Sequence, residues 1–167
     1  MEGRGARYIL GFCISVLTAV LLQCMEMQMG GVVLSVLVPI SGSAWEQGKL
    51  CFWPYLVGAL LIWRLGDGKD SRGGHCAVMV LMPLVLTALC WWLQPSPQAV
   101  AALWLGVLAG GIALYALVLR RRCPGGELVW YTLAILLGIA YLLATALPPQ
   151  LGIFLDHTGV PTMAIPV

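Results

Sequence analysis

Apolar residues along this chain gather into long blocks with no sustained 3.6- or 2-residue period, and the polar residues are compressed into short stretches between them. Helices that are apolar on every face have lipid as their solvent. Five blocks approach or reach the roughly 20 residues that cross a hydrocarbon layer of about 30 Å. They cover 8–25, 43–65, 75–93, 99–119 and 128–147. The second is strongly apolar only from Leu50 to Leu65. A helix begun at Ser43 would nevertheless reach roughly 34 Å at about 1.5 Å per residue, a full crossing. Val32 to Ile40 is also apolar but too short to span; it follows the helix-breaking pair Gly30-Gly31 and ends on Pro39 and Ser41. It reads as a re-entrant or interfacial segment tucked against the bundle. The predicted architecture is therefore all-α, a single polytopic membrane domain over residues 1–167. It has five transmembrane helices, the short segment between helices 1 and 2, and an extracytoplasmic tail over 148–167.

Composition agrees with that class. Hydrophobic residues make up 60% of the 167 and charged residues 10%, against about a quarter charged in soluble domains. The few cations then orient the bundle. Arg4 and Arg7 precede the first block, Arg64, Lys69 and Arg72 separate the second and third, and Arg120, Arg121 and Arg122 separate the fourth and fifth. Only Lys49 falls on the other side. Short cytoplasmic loops carry the Lys and Arg excess, so the N-terminus is predicted inside and the C-terminus outside the cytoplasmic membrane. The basic start and apolar core of the first block imitate a signal peptide, but no small-x-small cleavage site follows, and bulky Gln23 stands before Cys24. It is read as a retained helix.

The chemistry concentrates in Ser41 to Pro54 (SGSAWEQGKLCFWP). Ser43-Ala-Trp-Glu46 has the form of a capping box, a structural use of Glu46. Glu46, Lys49 and Trp53 also follow i, i+3, i+7 and share a helical face, while Pro54 is expected to kink the helix and release a backbone carbonyl. Trp45, Trp53 and Tyr55 suit an interfacial aromatic belt. Glu26 falls near the outer end of the first helix, within Cys24-Met-Glu-Met-Gln-Met29. Soft sulfur ligands select copper(I), but Met25 and Met29 share a face that Met27 does not, so no metal or other cofactor is assigned.

The remaining segments are plainer. The six cysteines form no C-x-x-C pair and read as small apolar fillers. Gly66 to Gly74 matches no phosphate-binding spacing and reads as a cytoplasmic connector. Gln94-Pro-Ser-Pro97 is a tight turn joining antiparallel neighbours, and Gly106-Val-Leu-Ala-Gly110-Gly111 is a small-x-x-x-small pattern that invites close helix approach. Arg120 to Arg122 read as a topology signal that attracts anionic headgroups. With no basic face interleaved with aromatics, nucleic acid is not an expected partner. After Pro148-Pro149 the tail carries Asp156 and His157 to the same outer face as Glu26, Glu46 and Lys49.

Pro39, then Ser43-Ala-Trp45-Glu46-Gln47-Gly-Lys49-Leu50 to Phe52-Trp53-Pro54, resembles the signature N-E-S-V-W-E-H-x-K-L-x-F-x-P of the DUF6512 family of small bacterial membrane proteins. Pro148-Pro149-Gln150-Leu-Gly-Ile-Phe154-Leu-Asp156 with Thr158-Gly159 is similar to that family's closing P-P-H-x-P-x-F-x-D-x-x-T-G. The resemblance implies a fold and a locus rather than an activity. Gln47 and Gln150 stand where the family pattern has histidine, and Gln23 follows the same trend. Histidine can ligate a metal or carry a proton, whereas glutamine can only hydrogen-bond.

Ionisable groups at the edge of lipid are costly enough to call for a reason. The leading expectation is a protein that binds or moves a small solute or ion in an outer pocket formed by Glu26, Trp45, Glu46, Lys49, Asp156 and His157. Five helices rarely enclose a pathway, so a homo-oligomer or a larger membrane-protein partner is expected alongside the bilayer. The competing expectations are an accessory subunit, in which Ser43 and Glu46 merely cap a helix, and a membrane-embedded enzyme acting on an envelope substrate. The last lacks any catalytic signature.

Overall fold

The computed structural model describes residues 3–29, 32–39, 42–66, 71–120 and 125–147. Among these the chain is helical: α1 Gly3–Met29, α2 Val32–Leu37, α3 Ala44–Gln47, α4 Lys49–Arg64, α5 Arg72–Leu93, α6 Pro97–Leu114 and α7 Glu127–Ala146. A π-helical turn, Tyr115–Leu119, extends α6. Four helices are long and apolar enough to cross a membrane: Gly5–Gln28, Arg72–Leu93, Pro97–Leu119 and Glu127–Ala146. That is compatible with an integral membrane protein.

The second block divides in two. Ser43 caps α3, its hydroxyl accepting from the Glu46 N–H at 3.3 Å, and α4 follows after Gly48. Gly48 keeps right-handed helical angles (φ −59°, ψ −29°), so α3 and α4 form one nearly continuous rod of roughly 21 residues, about 31 Å long. This rod is the centre of the molecule. It touches α1, α2, α5 and α6, and Cys51, Tyr55 and Ile62 on it are completely buried. Burial by protein explains why its sequence is less uniformly apolar than that of its more exposed neighbours. Trp92, 86% exposed at the end of α5, shows the opposite situation and suits an aromatic belt.

Contact between α1 and α4 depends on missing side chains. A methyl group added at Gly58 would collide with the Ser15 hydroxyl and press on the Gly11 carbonyl, and one at Gly11 would collide with Ile62. Small residues thus let the two backbones approach, as in membrane helix pairs generally. The Gly106-Gly110-Gly111 pattern divides: Gly106 and Gly110 have no described atom near a would-be Cβ, whereas one at Gly111 would collide with Met82 of α5, so only the last glycine makes the close helix approach.

Pro54 lies inside α4 and is buried. It has no N–H for the carbonyl of Leu50, four residues earlier. The indole N–H of Trp104 on α6 donates to that carbonyl at 2.8 Å, so the released acceptor becomes a link between helices.

The two ends of the bundle are distinct. At one end Tyr8 of α1 meets Tyr115, the Arg72 guanidinium lies over the Trp63 ring, the Ser71 N–H donates to the Arg120 carbonyl, and the Ser71 hydroxyl bonds Glu127. At the other end Trp45 packs on Tyr141 of α7, and α2 sits against α1, α4 and α7. The helices between therefore alternate in direction. Between them the Gln94-to-Pro97 turn is held by a left-handed Gln94 (φ 44°) and by the Ser96 hydroxyl, which accepts from the Ala99 N–H at 3.4 Å.

The Trp104 link predicts a measurable coupling. Trp104→Phe should cost about 1–3 kcal/mol by stranding a buried carbonyl, read as thermal unfolding in detergent. In a Pro54→Ala background the restored N–H should take that carbonyl, making the same substitution about 1 kcal/mol cheaper. Equal costs in both backgrounds would contradict the link.

Candidate functional site

Lys49 is completely buried, and its ammonium makes three hydrogen bonds: to Glu46 Oε2 at 2.7 Å, to the Ser35 carbonyl at 3.0 Å and to Thr145 Oγ1 at 2.7 Å. An ammonium has three donors and no acceptor, so every proton is committed. Thr145 in turn donates to the Tyr141 carbonyl at 2.7 Å. A single cation thereby joins α2, α3, α4 and α7. Helical spacing places Glu46 one turn before Lys49, and the Ser43 cap holds that turn in register.

Beside this pair lies an aromatic and hydroxyl layer. Trp45 packs on Tyr141 with ring centres 4.8 Å apart, and Phe52 meets the same tyrosine at 5.5 Å. A Cβ on Gly48 would collide with the Tyr141 hydroxyl and come within 2.9 Å of the Thr87 hydroxyl. Glycine leaves room there for the two hydroxyl-bearing side chains to close directly over the backbone.

The other side of the rod borders a cavity of about 620 Å³ between α1, the segment before α3, α4 and the start of α6. Its lining includes Gln23, Gln47, Pro39, Leu50, Pro97 and Trp104. The amides of Gln23 and Gln47 supply donors and acceptors, while Ala19, Ala101 and Val100 leave the remaining wall small and apolar.

The sequence-predicted site residues therefore have separate positions. Glu46 and Lys49 are joined and buried, and Trp45 stacks beside them on Tyr141. Glu26 is half-buried near the end of α1, one carboxylate oxygen lacking a hydrogen-bond partner among the described residues, and it does not line the cavity. Asp156 and His157 lie outside the described residues. The sulfur-rich run around Glu26 does not gather: Met27 is 87% exposed, and among the described residues no group of three metal-ligating His, Cys, Asp or Glu side chains occurs. The five described cysteines are thiols, with Cys51 and Cys90 buried.

Sequence reasoning overlooked Ser35 and Thr145 as partners of Lys49. Ser35 contributes only its carbonyl, which no residue type announces. Thr145 had a readable signal, since Tyr141 and Thr145 place two hydroxyls four residues apart on one face of an otherwise apolar helix. No family model, curated protein or solved structure matches this chain.

Breaking the buried pair one-sidedly should be expensive. Lys49→Met should destabilise by about 3–5 kcal/mol because it removes one partner of a buried ion pair, and Thr145→Val by about 1.5–3 kcal/mol. The double variant Glu46→Gln/Lys49→Met should recover most of the Lys49→Met loss. Thermal or denaturant unfolding in detergent checks all three, and additive losses would show that the two side chains do not act as a pair.

Proposed function

We propose that the protein is a five-crossing integral membrane protein that binds a small, uncharged polar solute in the cavity flanked by Gln23 and Gln47. The observation that carries this reading is the cavity itself, about 620 Å³, within the roughly 300–1,000 Å³ typical of small-molecule sites. Its chemistry suits hydroxyl- or amide-bearing solutes, since the glutamines both donate and accept but carry no charge and do not titrate. The fifth crossing is the α3–α4 rod, and α2 is the interfacial piece beside it. Arg7, Arg64, Arg72 and Arg120 share the opposite end of the bundle, so the bias of positive residues toward the cytoplasm turns the cavity outward.

In this reading the Glu46–Lys49 pair is scaffold and not ligand. It fixes the first turns of the rod and thereby the position of Gln47, one residue after Glu46. A catalytic role for Lys49 finds no support in an ammonium whose three protons are already engaged. The resemblance to the DUF6512 family fits the same locus, because Gln47 occupies a position where that pattern has histidine and Gln23 follows the same trend. A metal- or proton-handling site in relatives would become a hydrogen-bonding site here.

The test is native mass spectrometry of the protein extracted from its own membrane, with identification of any co-released small molecule. Wild type should carry a polar adduct that Gln47→Leu and the cavity-filling Ala101→Trp both lose, with Tm held within about 2 °C as a check on folding. An empty wild type, or an adduct retained by both folded variants, would remove the binding reading and leave the accessory-subunit one. Orientation is checked separately: a membrane-impermeant maleimide applied outside intact cells should label Cys24, at the cavity end of α1, and spare Cys76 at the arginine end.

A further inference from the structure

A second cavity, about 200 Å³, lies at the arginine-bearing end between α4, α5 and α7. We propose that it holds one acyl chain of an anionic phospholipid whose phosphate is taken by Arg72 beside His75. The inference is independent of the solute-binding reading, which concerns the other end of the bundle.

Three observations point to that occupant. First, the cleft is amphiphilic along its length. Leu56, Ala59 and Met79 form the deep wall, whereas Arg72 and His75 sit at the end of the bundle. Arg72 and Met79 are seven residues apart on α5, which separates head from tail by roughly 10 Å along the helix. A phospholipid in the leaflet has the same order, charged at the surface and apolar below.

Second, the polar groups are held in position by the fold. The Arg72 guanidinium lies 4.3 Å above the Trp63 ring, a stacking that leaves its planar fork of donors suited to a phosphate. Among the described residues no carboxylate pairs with it. His75 is fixed by a 3.1 Å hydrogen bond between Nδ1 and the Tyr55 hydroxyl and by stacking on Tyr115 at 3.7 Å. Tyr115 occupies that position because the α6 extension is π-helical, closed by the Arg120 N–H on the Tyr115 carbonyl at 2.9 Å. Such bulges recur at functional sites.

Third, size excludes a whole ligand. At about 200 Å³ the cleft is smaller than the roughly 300 Å³ at which sites for complete small molecules begin, so the remainder of its occupant must lie outside. Leu60 on the rim is 52% exposed, which gives an apolar surface over which a chain passes into the bilayer. A free phosphate or small anion would use the arginine and leave the apolar wall unexplained.

The experiment is native mass spectrometry of delipidated protein titrated with phosphatidylglycerol or phosphatidylcholine of identical chains. Wild type should retain one phosphatidylglycerol about tenfold more strongly than phosphatidylcholine, the scale of one charge-assisted hydrogen bond. Arg72→Gln should abolish the preference, and Arg64→Gln, which removes an exposed cation at the same end but outside the cleft, should keep it. Ala59→Phe should weaken both lipids by filling the deep wall. In case that variant does not fold, Cys76 in the cleft lining provides a second measurement on native-sequence protein. Phosphatidylglycerol should slow its alkylation by a permeant maleimide, and Arg72→Gln should lose that protection. No headgroup preference in wild type, equal losses in Arg64→Gln and Arg72→Gln, or alkylation of Cys76 indifferent to lipid would each overturn the proposal.

Discussion

Taking a lysine ammonium out of water is among the most costly operations a fold can perform, and the arrangement around Lys49 answers that cost group by group. A carboxylate, a backbone carbonyl and a hydroxyl meet its three protons, and each comes from a different helix. The requirement is mutual. Glu46 would be a buried carboxylate deprived of its 2.7 Å cation without the lysine, so each charge supports the other. Because the acceptors come from α2, α3 and α7, the cation can be satisfied only when those elements dock on α4 together. A pair of this kind adds little net stability compared with an apolar isostere, but it selects one assembly among many similar packings of apolar helices.

The same logic governs the backbone of the central rod. Pro54 leaves the Leu50 carbonyl without its helical N–H, and Trp104 supplies a donor from α6. Gly11 and Gly58 remove the side chains that would hold α1 away. In a membrane, where burial of apolar surface does little to bring helices together, such backbone approach and polar satisfaction carry the specificity. The rod is joined to its neighbours near its start by the Lys49 cation and by the tryptophan bond to the adjacent Leu50 carbonyl, and further along by glycine contact with α1 at Gly58.

Two chemically different cavities result, one at each end. The first is flanked by neutral amides and lies next to a fully compensated ion pair. The second pairs an apolar wall with an arginine and a histidine held against aromatic rings. The separation follows from the distribution of charge along the chain, since all the described arginines fall at one end and the Glu46–Lys49 pair at the other. In the sequence Gln23 stood out as a bulky residue before Cys24 and Gln47 as a polar position within the Ser41–Pro54 stretch. The fold places both on one cavity wall while Glu46, the neighbour of Gln47, turns inward to Lys49.

Much of this was legible beforehand because it depends on local chemistry. Apolar block length marked out the helices, Ser43 announced a helix start, the i, i+3 spacing of Glu46 and Lys49 joined them, and Pro54 implied a released carbonyl. What local chemistry could not specify was which distant group would answer each need. Thr145 lies 96 positions from Lys49, the Ser35 contact uses a carbonyl common to every residue, and Trp104 resembled any other membrane tryptophan. Of the Gly106-Gly110-Gly111 pattern only Gly111 packs closely, against Met82 of α5, while the separate glycines Gly11 and Gly58 make the approach of α1 to α4. The sequence by itself determined an apolar helical chain with its cations biased to one end, because transfer free energy and helical period act residue by residue. Only the tertiary structure decided which charges became scaffold and which polar groups were left lining cavities, because that depends on satisfying buried donors and acceptors across helices far apart in the chain.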